Sequence, residues 1–160
     1  SGVTFLESND DVAIVSPFAT DAEGNKRYLC KRYPSIFDIF LRGFMPKPVR
    51  SKFDERLAYF EMRDLSDKKA TKGIPIASGC FMLCRSKVIN QISGFDSKYF
   101  LYFEDFDLSL RVGSTSSIAY LPSMRIVHTG GDAAKKGIRH IFLFICSGFR
   151  FFSKHGWRWF

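Results

Sequence analysis

The chain has 160 residues, 46% of them hydrophobic and 25% charged, with 18 phenylalanines and a formal net charge of +8. One domain of this length buries roughly 70% of its unfolded surface, so the chain has a real core and an intrinsically disordered class is excluded. A sequence pI of about 9.5 points to an anionic partner, whether nucleic acid, a phosphorylated small molecule or a membrane surface.

The basic excess is local. No acidic residue follows Asp132, whereas Lys135, Lys136, Arg139, Arg150, Lys154 and Arg158 all do. Cys30, Cys80, Cys84 and Cys146 form no C-x-x-C pair and have no histidine at zinc-finger spacing, so all four are expected as reduced core or boundary residues of a cytosolic protein.

In chain order, Val3 to Ser8 reads as the end of a helix and Asn9-Asp10-Asp11 as the turn after it. Val12 to Ser16 is a β-branched run expected to be a buried strand stopped by Pro17. Asp21 to Asn25 carries turn chemistry, and Tyr28 to Arg32 a second strand. Ser35 is placed to cap a helix carrying Ile36, Phe37, Ile39, Phe40 and Leu41, with Gly43 as its stop. Residues 45–75 are irregular, with one strand expected near Ala58 to Met62.

Ile76 to Cys84 reads as a near-continuous apolar strand in which Gly79 marks a bulge or a close approach by another group. Ser86 is expected to cap a short helix ended by Gly94, and the aromatic run Tyr99 to Phe103 leads into an acidic helix closed by Gly113. Ser117 to Leu121 and Met124 to Val127 read as short strands broken by Pro122. From about Ala133 to Lys154 a last helix carries Ile138, Phe142, Ile145, Phe149 and Phe152 as an apolar stripe. Arg150 interrupts this run well short of the ~20 apolar residues of a membrane span. The stripe has two readings, core packing or an interfacial helix on anionic lipid, with Trp157 and Trp159 at its end. Strands alternating with helices make the chain α/β with a mixed sheet, divided into residues 1–132 and a basic amphipathic helix over 133–160.

Chemistry concentrates in Phe103 to Arg111, where Glu104, Asp105 and Asp107 put three carboxylates into four positions. Such acids complement a helix N-terminus, which by spacing alone reads as a well-capped surface helix, but their aromatic company shields them from water and makes them candidates for chemistry. Glu104 and Asp105 point ~100° apart, a poor arrangement for a glycosidase pair that must face across one bond. His128 follows an apolar strand and precedes a Gly-Gly turn; a lone histidine there is more often structural, but at a strand end it could contribute one ligand to Mg²⁺ or Mn²⁺. Gly130-Gly131 ahead of Lys135-Lys136 could favour an anion, although a plain loop fits as well.

Ser78-Gly79-Cys80-Phe81-Met82-Leu83, Gly94-Phe95-Asp96, the whole of Tyr99 to Arg111, Tyr120-Leu121-Pro122 and Ile126-Val127-His128 occur in this order. Together they resemble the C-terminal half of bacterial family 2 glycosyltransferases, particularly rhamnosyltransferase-like enzymes of surface polysaccharide and O-antigen assembly. The resemblance implies the acceptor and catalytic half of a GT-A fold. It implies inverting transfer of a sugar, rhamnose favoured, from a nucleotide-diphosphate donor to a glycan or polyprenyl-linked acceptor. It also implies Asp105 as general base, Glu104 holding the acceptor, Ser78 and Gly79 bordering the sugar or acceptor, and His128 as a ligand of a divalent metal (Mg or Mn).

The family's N-terminal nucleotide-binding strands and Asp-x-Asp motif have no counterpart here, and Asn9-Asp10-Asp11 is not that motif. Gly73-Ile74-Pro75-Ile76 also replaces the Asp-Trp often found before Ser-Gly. The expectation is therefore an N-terminally truncated, cytoplasmic piece, peripheral on the inner face of the plasma membrane, that does not turn over alone. The competing classes are a basic nucleic-acid-binding module and a catalytically silent scaffold. The acidic cluster beside the aromatic run disfavours nucleic acid, because it repels phosphate where bases would stack.

Overall fold

The computed structural model describes residues 1–129 and 137–160. Its centre is a parallel pair of strands, β1 (Val12–Thr20) and β7 (Ser117–Val127). Val12, Ala13, Ile14, Val15 and Ser16 are fully buried, as expected of a continuous apolar strand covered on both faces. The free edge of β1 takes two short antiparallel partners, β2 (Lys26–Arg27) and β6 (Leu83–Cys84), and β4 (Thr71–Lys72) pairs antiparallel with β7. A separate two-stranded sheet joins β3 (Cys30–Lys31) to β5 (Ile76–Ala77). The chain is thus α/β with a mixed sheet and flanking helices.

Both prolines expected to end strands lie inside them. The β1–β7 register passes from Pro17↔Leu121 to Phe18↔Arg125, so residues 122–124 form an irregularity opposite Pro17. A bulge is where a strand tolerates the missing N–H of proline, and the two prolines share one. The expected strand over Ile76 to Cys84 is instead divided. Its ends pair with different strands, β3 and β1, while Ser78 to Met82 leave the sheet. Cys80 is consequently exposed in a turn, Cys146 is exposed on the last helix, and all four cysteines are free thiols.

The helices cover the sheet in a simple way. On one side Leu6 of α1 (Gly2–Glu7) packs with Val12, Val15, Ala119 and Leu121. On the other, Val88 of α5 (Ser86–Gln91) and Val112 of α6 (Glu104–Gly113) pack with Ile14, Ile118 and Tyr120. Ser86 is the first residue of α5 rather than its cap, since Arg85 takes the cap position. The Arg85 guanidinium instead donates to the carbonyls of Leu6 and Val12, tying α1 to β1.

Ser35 caps α2 (Ile36–Phe44) as expected, in a reciprocal box with Asp38, and the helix runs through Gly43. The irregular region holds two helices, α3 (Lys47–Ser51) and α4 (Asp54–Phe60). The expected strand near Ala58 to Met62 is helical because Leu57 and Phe60 bury one helix face and Asp54 and Glu55 occupy the first turn.

The last helix, α7 (Ile138–His155), overturns the core-packing reading of its stripe. Its expected start near Ala133, the Gly130-Gly131 turn and Lys135-Lys136 lie outside the described residues. Ile138, Phe142, Ile145 and Phe149 face outward; of the five stripe residues only Phe152 is buried. The buried side is Ser147, Gly148, Phe151 and Phe152, packed with Tyr99 and Phe103 and flanked by Tyr33, Ile36 and Ile39. Polar pairing selects this face. Asp107 of α6, fully buried, accepts from Lys154 at 2.7 Å, from His155 Nε2 at 2.8 Å and from Arg111 Nε at 2.7 Å. Arg111 also donates to the carbonyls of Ile92 and Gly94, and Lys154 bonds Asp96 at 3.0 Å.

Burial opposes ionisation of Asp107, but the hydrogen bonds from Lys154, His155 and Arg111 prevail and hold its carboxyl below the usual range. The stability it supplies is present above the unfolded-state carboxylate pKa and is lost as pH falls through the depressed folded value. Asp107→Asn leaves three partly exposed cations, Arg111, Lys154 and His155, without their shared counter-charge and is expected to cost about 1–3 kcal/mol near neutral pH. Thermal unfolding should show a large drop in Tm at pH 7 that narrows towards about pH 3. Equal Tm values at pH 7 would sink this account.

Candidate active site

The acidic stretch enters α6 through an unusual turn. Tyr102 and Phe103 both have positive φ, +69° and +61°, in the left-handed region that non-glycine residues seldom occupy. Their side chains and the last helix hold them there. Phe103 is buried against Phe106, Phe144, Phe151 and Phe152, and Tyr102 Oη shares a 3.0 Å hydrogen bond with His140 Nδ1. Ser147 Oγ donates to the carbonyl of Leu101 at 2.7 Å. Gly148 leaves the room Phe103 needs, since a Cβ there would lie 3.3 Å from its ring. The plain surface-helix reading fails on these contacts: α6 has no side-chain cap, and Asp107, Leu108, Ser109 and Val112 are buried.

The turn presents Asp105 to a fixed pair of donors. Asp105 Oδ2 accepts from the Gly79 N–H at 2.8 Å and Oδ1 from the Phe106 N–H at 2.9 Å. Gly79 is favoured by proximity, because a Cβ there would sit 3.0 Å from Asp105 Cβ and press on it. This is the close approach that a glycine in that run suggested. Ser109 Oγ, buried one turn on, donates to the Asp105 carbonyl at 2.7 Å and accepts from the Ala77 N–H at 3.1 Å, fastening α6 to β5. Ser78 donates its own N–H to the carbonyl of Leu29 at 2.8 Å, which sets the loop carrying Gly79.

Burial pushes the Asp105 carboxyl up, against the lowering effect of the Gly79 and Phe106 N–H groups. Glu104 is also raised, chiefly by burial, with the neighbouring charge of Asp105 adding to it. Its Oε2 is buried and has no hydrogen-bond partner among the described residues. The three carboxylates of this helix therefore have three states. Asp107 is neutralised by cations, Asp105 is held by backbone donors, and Glu104 has one oxygen unsatisfied.

The short connection over 114–116 returns α6 antiparallel to β7. β1 and β7 finish together at Thr20 and Val127, the carboxyl edge at which open α/β sheets commonly bind ligands. His128 lies just beyond β7 at that edge, half-buried, its N–H donating to the Thr20 carbonyl at 2.8 Å. Among the described residues it makes no hydrogen bond or ion pair to Glu104 or Asp105, and no cluster of three potential metal-ligating side chains occurs. The described residues thus offer a metal one imidazole and do not assemble a complete site.

Sequence spacing did not single out Lys31 or Arg42. Lys31 is buried in β3, its ammonium donating to the Tyr28 carbonyl, and burial with repulsion from Arg42 pushes its pKa down to about 7. The positive charge of Arg42 also reaches Asp105. Neither residue lies in a motif, because β3 meets β5 only through tertiary pairing. Of the aromatic run, Tyr99 and Phe103 lie in the core while Phe100 is exposed.

No family model matches the chain, and no solved structure matches it significantly. Two curated relatives from Mycobacterium tuberculosis strains, each an N-acetylglucosaminyl-diphospho-decaprenol L-rhamnosyltransferase, are 32% identical over 132 residues, covering 79% of this chain and 42% of theirs. Rhamnosyltransferase WbbL of Escherichia coli K12 is 29% identical over 112 residues, covering 69% of this chain and 38% of its own. The chain spans about two fifths of the length of these relatives, and they bear out the likeness carried by the ordered motifs.

A raised folded-state carboxyl supplies stability that is present below its ordinary pKa and lost as pH rises through the folded value. Glu104→Gln is therefore expected to raise Tm at pH 7 and to leave it unchanged near pH 3, where both side chains are neutral. A variant less stable than the parent at pH 7 would show that the Glu104 charge is compensated after all.

Proposed function

The chain is rhamnosyltransferase-like along most of its length, and from that premise we propose that it carries the acceptor and general-base part of an inverting glycosyltransferase of GT-A type. The donor is a nucleoside-diphosphate sugar, rhamnose favoured, and the acceptor a glycan or polyprenyl-linked saccharide of cell-surface polysaccharide synthesis. The reaction belongs on the cytoplasmic side of the membrane, where such a donor is available.

The observation that carries this reading is the setting of Asp105. Its two oxygens are fixed by backbone donors, yet each keeps a lone pair, and burial raises its basicity towards the working pH. In the proposed step the acceptor hydroxyl gives its proton to Asp105. The acceptor oxygen bonds to the anomeric carbon while the bond from that carbon to the diphosphate oxygen breaks, releasing the nucleoside diphosphate with inversion. Glu104, with its unsatisfied buried oxygen, is proposed to take a hydrogen bond from the acceptor. Gly79 leaves room beside it, and Ser78 borders the same space. His128 is proposed as the single imidazole this chain contributes to a Mg²⁺ or Mn²⁺ ion that, when bound, neutralises the diphosphate.

The test is transfer from a nucleoside-diphospho-rhamnose to a polyprenyl-diphosphate-linked saccharide by protein containing this chain. Asp105→Asn is expected to lower kcat by about 10²–10⁴-fold with little change in donor KM. The parent's acid limb is expected above the ordinary aspartate pKa of about 3.9, because a raised base is lost to protonation at higher pH. Undiminished transfer by the variant would remove Asp105 from the chemistry.

A further inference from the structure

The outward face of α7 is apolar from Ile138 to Phe149. Ile138, Phe142, Ile145 and Phe149 fall within about 60° of one another around the helix axis and are 86%, 65%, 57% and 65% exposed. The segment after the helix extends this face. Trp157 packs on Phe149 at 5.4 Å between ring centroids and stacks with Trp159 at 5.9 Å, and Phe160 is also exposed. These aromatics are fixed in place rather than loosely attached. The carbonyls of Arg158 and Trp159 accept from the N–H groups of Ile36 and Phe37 at the start of α2, and Tyr33 Oη donates to the Gly156 carbonyl at 2.6 Å.

We infer that this face docks on an anionic lipid bilayer surface, with α7 lying in the plane of the interface. The charge pattern selects that partner. Residues 137–160 contain no Asp or Glu. Arg139 and Arg150, three turns apart, flank the stripe along one side, and Arg158 stands between the two tryptophans. A helix with an aromatic-rich apolar face, arginines at its border and tryptophans at its end matches the chemistry of the headgroup region. A second copy of the chain fits less well, since a two-fold contact would bring the same arginines towards each other. The face does not span the bilayer: among the described residues no helix is long and apolar enough to cross a membrane.

The opposite side of α7 holds the site together. Lys154 and His155 meet Asp107, Ser147 meets Leu101, and Gly148 receives Phe103. Docking would therefore anchor the turn at Leu101 to Phe103, from which Glu104 and Asp105 follow, to the inner side of the surface-bound helix. On the proposed function, that places the base where a lipid-linked acceptor arrives.

The chain's two tryptophans are both in the proposed surface, so intrinsic fluorescence reports on it directly and without any transfer assay. The purified chain is expected to cosediment with vesicles of phosphatidylcholine and phosphatidylglycerol at least ~10-fold more than with phosphatidylcholine alone, and less so at high salt. Tryptophan emission should shift to the blue and be quenched by brominated acyl chains. Phe142→Ser with Phe149→Ser should weaken binding by ~10-fold or more with Tm retained, both rings being exposed. Arg139→Gln with Arg150→Gln should remove the preference for anionic lipid while leaving the fold intact. Absence of lipid quenching, or equal binding by the double phenylalanine variant, would overturn the inference. So would a lipid-free dimer that shields the tryptophans and is abolished by that variant, which would assign the face to a second copy. Loss of transfer by an Asp105 variant leaves every one of these readouts unchanged, so the two proposals fail separately.

Discussion

The buried carboxylate of Asp107 is the interaction on which the candidate site depends. A fully buried charge is tolerated only with close compensation, and here Arg111 comes from its own helix while Lys154 and His155 come from α7. This one cluster fixes how α7 lies on α6. Arg111 and Lys154 pass the constraint on to Ile92, Gly94 and Asp96, the segment leading towards the aromatic run. With α7 in place, Gly148 and Ser147 are positioned to hold the left-handed turn at Tyr102 and Phe103. Backbone in that region is costly, of order 1–3 kcal/mol per residue, and persists only where surrounding contacts over-determine it. The packed Phe103 ring and the Tyr102–His140 bond are those contacts.

Three carboxylates in four helical positions would repel one another on an open surface, and here the fold gives each its own environment. Because successive residues turn by ~100°, Asp107 points into the α6–α7 seam while Asp105 reaches the loop after β5. Backbone donors at Gly79 and Phe106 orient Asp105 without neutralising it, so burial still raises its basicity. Among the described residues, Glu104 receives neither cation nor donor at one oxygen. An unsatisfied buried carboxylate lowers stability, and such costs are most often retained where a ligand completes the hydrogen bonding.

Much of the local architecture was legible in the residues. The Ser35 cap, the turn at Asp21 to Asn25, the buried run from Val12 and the acidic helix closed by Gly113 all follow from capping, turn and periodicity rules that act over a few residues. Gly79 was legible as a place of close approach, although not what approached it. The failures share a cause. Pro17 and Pro122 read as strand ends because nothing local shows that a bulge in one strand can lie opposite proline in the other. The split between β5 and β6 was hidden because an apolar run looks alike whether it pairs with one neighbour or two.

The sequence by itself determined that Glu104 and Asp105 stand side by side at the start of a helix, that basic charge gathers at the chain's end, and that the ordered motifs are rhamnosyltransferase-like. Tertiary structure alone decided which acid would be neutralised, which N–H groups would orient Asp105, and that Lys31 would be buried. It also decided which side of α7 faces inward. That helix is amphipathic, and periodicity by itself would turn its apolar stripe inward. The choice falls to the buried charge at Asp107, which can be satisfied only with Lys154 and His155 turned towards it and the phenylalanine stripe turned out.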